Sequence, residues 1–216
     1  MSSRNLSQSK ISHLTKITNF TASLYDSYFK LWLRQESAFR QMVIDLMDIG
    51  GSESVLDVGC GTGRLTLMIA ERINGKGNIF GIDLSPQMIE VAKKKANNQG
   101  SQVDYRIATS LALPFGNQTF EVVTTSLVYH QLISWQERVK TVSEIWRVLK
   151  PGGRYISAEF NRLTLGNMAI IHDSLIRRIP LFGPALLEEN GFSILRRVEA
   201  TKGIMIISAK KVVCRD

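Results

Sequence analysis

The sequence predicts an α/β fold in which a largely parallel sheet is covered by helices on both faces. Between residues 54 and 160, short apolar runs alternate with amphipathic stretches of helical length, which is the pattern of repeated βαβ units. A glycine-rich loop joins the first apolar run to the helix that follows it. The last two apolar runs are separated only by Lys202-Gly203, which predicts an antiparallel hairpin at the sheet edge.

The same alternation predicts each element in turn. The predicted strands are 54–58, 78–83, 103–107, 120–126, 154–160, 192–199 and 204–210. The predicted helices between them are 65–72, 86–97 with its start at Ser85, 136–149 and 185–190. Two amphipathic helices are expected within 24–47, and one more over 165–179.

No internal repeat or low-complexity linker interrupts the 216 residues, so a single domain over 1–216 is expected. Its expected parts are a tail and cap helices (1–49), a ligand-binding core (50–160), a substrate-side insert (161–187) and the C-terminal hairpin (188–216).

Composition excludes several classes of protein. Hydrophobic residues make up 44% of the chain and charged residues 21%, which are values of a folded globular protein. No apolar run approaches the roughly 20 residues of a membrane-spanning helix, and the polar N-terminal segment lacks the apolar core of a secretory signal. Cys60 and Cys214 are too few for a disulfide framework or a multi-cysteine metal site. A cytoplasmic protein without a metal site is therefore expected.

The net charge of +8 is unevenly distributed. Residues 1–40 and 160–216 each carry an excess of four positive charges, whereas residues 41–159 are neutral overall. Such basic flanks are compatible with an anionic partner, namely nucleic acid, a lipid surface or an acidic substrate, and equally with a merely soluble surface.

The glycine loop carries the sharpest functional signal. Its glycines follow a G-x-G-x-G spacing at 59, 61 and 63, whereas a dinucleotide fingerprint would need a glycine at position 64, which is Arg64. Asp57 stands two residues before the first glycine, where it would repel a pyrophosphate but suit an ammonium group. S-adenosylmethionine (SAM) carries an ammonium and a sulfonium and no phosphate, so the charges favour SAM.

A second signal is the acid that closes the second predicted strand. Asp83 follows Gly63 by twenty residues, and a carboxylate there can accept hydrogen bonds from both hydroxyls of a ribose.

Four separated blocks, at 55–65, 81–96, 113–123 and 144–153, resemble the class I SAM-dependent methyltransferases. The similarity is to the type 11 branch, which includes the ubiquinone/menaquinone-biosynthesis methyltransferases. The resemblance implies a Rossmann-like seven-stranded mixed sheet of order 3-2-1-4-5-7-6 with strand 7 antiparallel. It also implies SAM as the cofactor, S-adenosylhomocysteine as the product, and in-line displacement by an acceptor held behind the methyl group.

The resemblance also assigns roles to single residues. Asp57 would hold the ammonium of SAM, directly or through water, and Asp83 the ribose. The other implied cofactor contacts are Gly59 and Gly61 (methionine part), Leu84 and Met88 (adenine), the Ser126 carbonyl (ammonium) and Tyr25 (folding over SAM). Helix packing is an alternative explanation for Met88, Tyr25 and Gly63.

One departure from the family pattern concerns adenine. Where the branch usually has Gly-Asp-Ala, this chain has Ala108-Thr109-Ser110. The Thr109 hydroxyl would replace the carboxylate that accepts from the adenine amino group, and a neutral hydrogen bond is weaker than a charge-assisted one. Either the backbone of Ala108 and Ser110 holds the adenine, or the affinity for SAM is modest.

His130 follows the fourth strand and is a candidate general base, because an ordinary histidine titrates near neutral pH. The alternative is that it only shapes its loop.

The expected acceptor is a small or lipid-like molecule. The basic flanks are compatible with an anionic acceptor and with peripheral membrane contact. No Asn/Asp-Pro-Pro-aromatic motif follows Ser126, which argues against nucleic acid. Two other hypotheses are a SAM-binding regulatory subunit without catalysis, and a methyltransferase acting on protein or RNA.

Overall fold

The computed structural model describes residues 36–132, 134–160, 182–201 and 203–212. Its helices are α1 (Glu36–Met47), α2 (Arg64–Ile73), α3 (Pro86–Gln99), α4 (Trp135–Val148) and α5 (Pro184–Glu189). Its strands are β1 (Ser54–Val58), β2 (Asn78–Asp83), β3 (Asp104–Ile107), β4 (Phe120–Ser126), β5 (Leu149–Phe160), β6 (Phe192–Thr201) and β7 (Ile204–Lys211). A single 3-10 turn, Tyr129–Gln131, separates β4 from α4.

The seven strands form one sheet in the order β3-β2-β1-β4-β5-β7-β6. The pairs from β3 to β5 are parallel, whereas β7 is antiparallel to both β5 and β6. This confirms the predicted fold class, the strand order and the C-terminal hairpin. From β1 the sheet continues through β2 and β3 on one side and through β4 and β5 on the other. In such sheets ligands bind at the carboxyl ends of the strands where the strand order reverses, which here is at β1.

Alternation along β1 explains why both faces of the sheet are covered. Successive side chains of a strand point to opposite faces, so Val55 packs with Phe39 of α1 and Ile69 of α2. Leu56 packs on the other face with Ile145 of α4. Each such fully buried side chain contributes roughly 1.5–3 kcal/mol to folding.

The apolar stripe of α1 is part of this core. Phe39, Val43, Ile44 and Met47 are buried in the same cluster. In the described part of the segment predicted to be helical within 24–47, the apolar stripe therefore packs into the core. The remainder of that segment and the predicted helix over 165–179 lie outside the described residues.

Local side-chain chemistry sets the helix starts near the site. The Ser85 hydroxyl accepts from the Met88 amide at 3.3 Å, which confirms the predicted start of α3. Ser134 and Glu137 form a reciprocal capping box at the start of α4. β5 begins five residues before the predicted strand, because Leu149 already pairs with Phe120 ahead of a register shift in the ladder.

Candidate cofactor site and methyltransferase family

The glycine loop folds back over the end of β2. The amides of Gly59 and Cys60 both donate to the Ile82 carbonyl, at 2.8 and 2.9 Å. Gly61 has φ +54°, and a Cβ there would meet no atom of the described residues within 4 Å. The backbone at Gly61 is therefore open to close approach by a ligand.

Gly63 has a different environment from Gly61. A Cβ at Gly63 would lie 2.5 Å from the Tyr105 hydroxyl oxygen and 3.0 Å from the Ala92 Cβ. The absence of a side chain at Gly63 therefore lets α2 approach β3 and α3, which supports the packing explanation for this glycine.

Asp57 is a buried carboxylate with one unsatisfied oxygen. Its side chain lies beneath the loop at 1% exposure, and the Thr66 hydroxyl donates to Oδ2 at 2.6 Å. Among the described residues, Oδ1 has no hydrogen-bond partner although it is buried. Burial raises the pKa of Asp57 from 3.8 to about 6, because the charged form lacks solvation. An ammonium group would supply both the missing donor and the missing positive charge, so the site fits the ammonium of SAM.

Asp83 is positioned at the carboxyl end of β2 by two amides. The Gly61 amide donates to Oδ2 and the Ser85 amide to Oδ1, both at 2.9 Å. Each carboxylate oxygen keeps a second lone pair for a ribose hydroxyl. Burial also raises the pKa of Asp83. The arrangement links the glycine loop to the predicted ribose-binding carboxylate.

The two predicted adenine contacts differ in exposure. Leu84, directly after Asp83, is 47% exposed, so its side chain is available to an apolar ligand face. Met88 is buried on α3, as helix packing requires.

The 108–110 segment is tied to its surroundings. The Ala108 amide donates to the Asp83 carbonyl at 3.0 Å, so that amide is already used. The Thr109 hydroxyl oxygen accepts from the Leu111 amide at 3.2 Å. The Ser110 and Thr141 hydroxyls lie 3.0 Å apart. A hydrogen bond from the adenine amino group to the Thr109 hydroxyl oxygen would therefore share that oxygen with the Leu111 amide.

A strained turn follows β4. Ser126 is in register with Ala158 of β5, and Leu127 then adopts φ +59°, a left-handed conformation that is rare for a large side chain. Leu127 is nevertheless buried, and its amide donates to the Ala158 carbonyl at 2.8 Å. This turn leads directly into the 3-10 turn that carries His130.

His130 faces a buried carboxylate that the sequence interpretation did not identify. Its Nδ1 lies 3.9 Å from Oε2 of Glu159, and its ring meets Phe160 edge-on with 5.3 Å between centroids. A signal for Glu159 exists in the sequence, since an acid near the end of a buried parallel strand occupies the same kind of position as Asp83. Thr66 was also missed, because a helical threonine gives no sequence signal of its partner.

The predicted residues come together because parallel strands end at one edge of the sheet. Asp57 is the penultimate residue of β1 and the glycines follow that strand, while Asp83 ends β2 and Leu84 follows it. The 108–110 segment follows β3, Ser126 ends β4, and His130 lies in the turn after β4. Tyr25 lies outside the described residues. Within the described ranges, no group of three or more His, Cys, Asp or Glu side chains could hold a metal ion.

Comparison with known proteins identifies the family. Residues 55–153 match the family described as "Methyltransferase domain". The demethylmenaquinone methyltransferase of Thermus thermophilus is 32% identical over 152 residues, which make up 70% of this chain and 67% of that protein. The chain belongs to the class I SAM-dependent methyltransferases. SAM is accordingly the cofactor of this methyltransferase, in agreement with the charge argument at Asp57.

Other similarities extend this result. The ubiquinone/menaquinone biosynthesis C-methyltransferase UbiE of Hydrogenovibrio crunogenus is 33% identical over 146 residues, 67% of this chain and 54% of that protein. The present chain thus spans between about half and two thirds of the length of these two curated relatives. A SAM-dependent methyltransferase from Aquifex aeolicus shares the fold with a TM-score of 0.64 at 21% identity, covering 80% of this chain and 89% of that one.

Proposed function

We propose that this methyltransferase transfers the methyl group of SAM to a small aromatic diol with an apolar tail, a demethylated quinol. The observation that carries the cofactor half of the proposal is the buried Oδ1 of Asp57, which has no hydrogen-bond partner among the described residues and lies beneath the loop that contains Gly61. The acceptor half is supported by relatives that are named demethylmenaquinone and ubiquinone/menaquinone methyltransferases.

The chemistry requires positioning above all. The acceptor's nucleophilic atom must lie in line with the bond between the SAM sulfur and its methyl carbon, and alignment alone can supply a large part of the rate. The carboxylates of Asp57 and Asp83 would hold the two ends of the cofactor on either side of the glycine loop. We assign the role of proton acceptor to His130, which follows β4 on the same sheet edge.

Contact with an anionic membrane surface is part of the proposal. A quinol with a prenyl tail resides in membranes, and this chain carries its excess of basic residues outside the neutral 41–159 core. In the described flank, Arg196 and Arg197 are exposed on the edge strand β6. Among the described residues, no helix combines the length and the apolarity that a membrane crossing needs. We propose a peripheral approach through these basic flanks.

Label transfer tests the proposed acceptor. The purified protein is incubated with methyl-labelled SAM and a short-tailed demethylated naphthohydroquinone, with or without vesicles of anionic or neutral lipid, and in parallel with protein and RNA fractions. The proposal expects label in the quinol, and more of it when anionic vesicles present the quinol. Label found only in the protein or RNA fraction would show that the acceptor is a protein or RNA and not a quinol. Tight SAM binding without any transfer would favour a regulatory subunit.

A pair of matched variants tests the ribose contact. Asp83→Ala should weaken SAM binding by a few kcal/mol at most, the scale of charged hydrogen bonds. Asp104→Ala removes a carboxylate from β3, whose partner is Arg106, and should leave the affinity for SAM unchanged. Calorimetry on both variants gives the comparison. Equal affinities in the wild type and Asp83→Ala would remove the ribose assignment.

A further inference from the structure

Glu159 is a buried carboxylate that the cofactor site does not use. It lies next to the last residue of β5 and is 4% exposed. Its Oε1 accepts from the amides of Val128 and Tyr129, at 2.8 and 3.2 Å. These amides belong to the start of the 3-10 turn that carries His130. One carboxylate oxygen therefore anchors the backbone of that turn, and the other is left for a second partner.

That second partner is the imidazole of His130. Nδ1 is buried and has no hydrogen-bond partner within the described parts of the chain, and Glu159 Oε2 lies 3.9 Å away. The side chain of His130 is still 31% exposed, so the open part of the ring lies away from Nδ1. A small movement of the ring would close this distance to a hydrogen bond, as often happens only when a substrate is bound.

The groups around this pair anchor the turn that carries His130. From α4, Arg138 is 2% exposed and donates from Nη2 to the Tyr129 carbonyl at 3.0 Å. Its positive charge acts on Glu159. From the turn itself, the Tyr129 hydroxyl accepts from Tyr155 at 3.2 Å, and burial holds the pKa of Tyr129 well above its ordinary range. The tyrosine therefore stays neutral, and within the described residues Glu159 is the carboxylate that lies against the imidazole.

We propose that Glu159 is a positioning residue that holds His130 with its proton on Nδ1, so that Nε2 is the free base of the methyl-transfer reaction. The carboxylate accepts from Nδ1–H and thereby fixes both the tautomer and the ring orientation. The inference rests on the proposed function, because it names the group that accepts the proton lost by a hydroxylated aromatic acceptor.

The step balances without a further reactant. The acceptor's electron pair forms the new bond to the methyl carbon, and the electrons of the sulfur–carbon bond return to sulfur, which leaves S-adenosylhomocysteine. The proton lost by the acceptor goes to Nε2 of His130. The resulting imidazolium is stabilised by the negative charge of Glu159 on its other side.

Nitrogen NMR of the histidine side chains measures the tautomer directly. Spectra are recorded on the full chain with ¹⁵N-labelled histidine at basic pH, and His130→Gln identifies the signals of His130 among the three histidines. The proposal expects the Nδ1–H form in the wild type. In Glu159→Gln the side-chain oxygen can still accept from the two amides, while the new NH₂ group donates to Nδ1. The expected result is therefore a switch to the Nε2–H form.

Kinetics separate positioning from a structural role. Glu159→Gln should lower kcat for label transfer by about 10²-fold or more, the usual contribution of a general base, while KM for SAM stays within about twofold. The matched control is Glu121→Gln, which alters another carboxylate that accepts a backbone amide, from Ser54 at 2.9 Å. It should leave both the tautomer and kcat unchanged.

Two results would overturn the inference: an Nε2–H tautomer in the wild type, or the same tautomer in the wild type and Glu159→Gln. The wild-type spectrum decides the matter even where the variant fails to fold. It also needs no acceptor, so a negative label-transfer experiment would remove the proposed function without deciding the tautomer.

Discussion

The hydroxyl of Thr66, on α2, donates a hydrogen bond of 2.6 Å to Oδ2 of Asp57, on β1. Both side chains are essentially inaccessible to solvent. This bond satisfies one oxygen of the carboxylate and directs the other, Oδ1, to a place where no described residue donates to it. The helix after the glycine loop therefore orients the carboxylate that would bind the ammonium of SAM.

Removal of this hydroxyl should affect both stability and binding. In Thr66→Val the carboxylate keeps no donor in the described structure, and an unsatisfied buried acceptor costs about 1–3 kcal/mol. We expect the melting temperature to fall and the Kd for SAM to rise about tenfold, which corresponds to about 1.4 kcal/mol. Thermal unfolding and calorimetry measure the two effects.

Thr124→Val is the matched control for that experiment. Thr124 is also fully buried, and its hydroxyl donates to the Ile156 carbonyl at 3.0 Å within the sheet. Its loss should lower stability without changing the affinity for SAM. An unchanged Kd in Thr66→Val would show that the orientation of Asp57 does not matter for the cofactor.

The raised pKa of Asp57 predicts a pH dependence of SAM binding. Burial raises this pKa to about 6, so a large part of the unliganded protein carries a neutral Asp57 at pH 5.5. A bound ammonium favours the carboxylate, so binding releases a proton. The affinity should rise with pH below about 6 and level off above it. Calorimetry in buffers of different ionisation enthalpy counts the protons released.

The stability of the unliganded protein should show the opposite trend. A carboxyl group whose folded-state pKa lies above its ordinary value of 3.8 stabilises the folded state when protonated. That contribution is lost as the pH rises from 3.8 to 6, and over two units it amounts to roughly 3 kcal/mol. Asp57→Asn should lack both trends. A Kd for SAM that is equally independent of pH in both proteins would contradict the assignment of Asp57.

Two glycines of the loop should respond differently to alanine. At Gly61 the methyl group would enter open space, so Gly61→Ala should keep most of the stability, apart from the roughly 1–2 kcal/mol of a left-handed alanine. Its Kd for SAM should nevertheless rise at least tenfold, because the methyl group occupies the space left for the ligand. Circular dichroism melts and calorimetry separate the two quantities.

Gly63→Ala is the counterpart of Gly61→Ala. Its methyl group would clash with Tyr105 and Ala92, which adds about 1–3 kcal/mol of overpacking to the left-handed strain. Tyr105→Phe removes the hydroxyl oxygen closest to that methyl group and should recover part of the loss. Similar melting temperatures for the two glycine variants would contradict the distinction between a ligand-facing and a packing glycine.

The sequence was sufficient for the sheet, and it also singled out acidic candidates for the cofactor site at the strand ends. Short apolar runs identified every described strand to within five residues, because burial on both faces of a sheet leaves a nearly continuous apolar run in the sequence. Asp57 and Asp83 were identifiable because an acid at a strand end is conspicuous. The partners of such residues were not, since contacts such as Thr66 with Asp57, or Glu159 with His130 across 29 residues of chain, depend on register between elements.

The replacement at position 109 yields the last prediction. The Thr109 hydroxyl already accepts from the Leu111 amide, so it offers adenine only a neutral and shared acceptor. A carboxylate there would add a charge-assisted bond, about twice as strong as a neutral one. Thr109→Asp should therefore tighten SAM binding by roughly 1 kcal/mol, or about fivefold.

An adenine analogue makes the test specific to this contact. Thr109→Asn offers an uncharged carbonyl of similar reach and should improve the affinity by less than Thr109→Asp does. With a cofactor analogue that carries hydrogen in place of the adenine amino group, there is no donor for the new carboxylate, and the gain should vanish. A gain of equal size with SAM and with the analogue would show that the carboxylate acts through the general charge of the site, and the proposed contact between position 109 and the adenine amino group would be wrong.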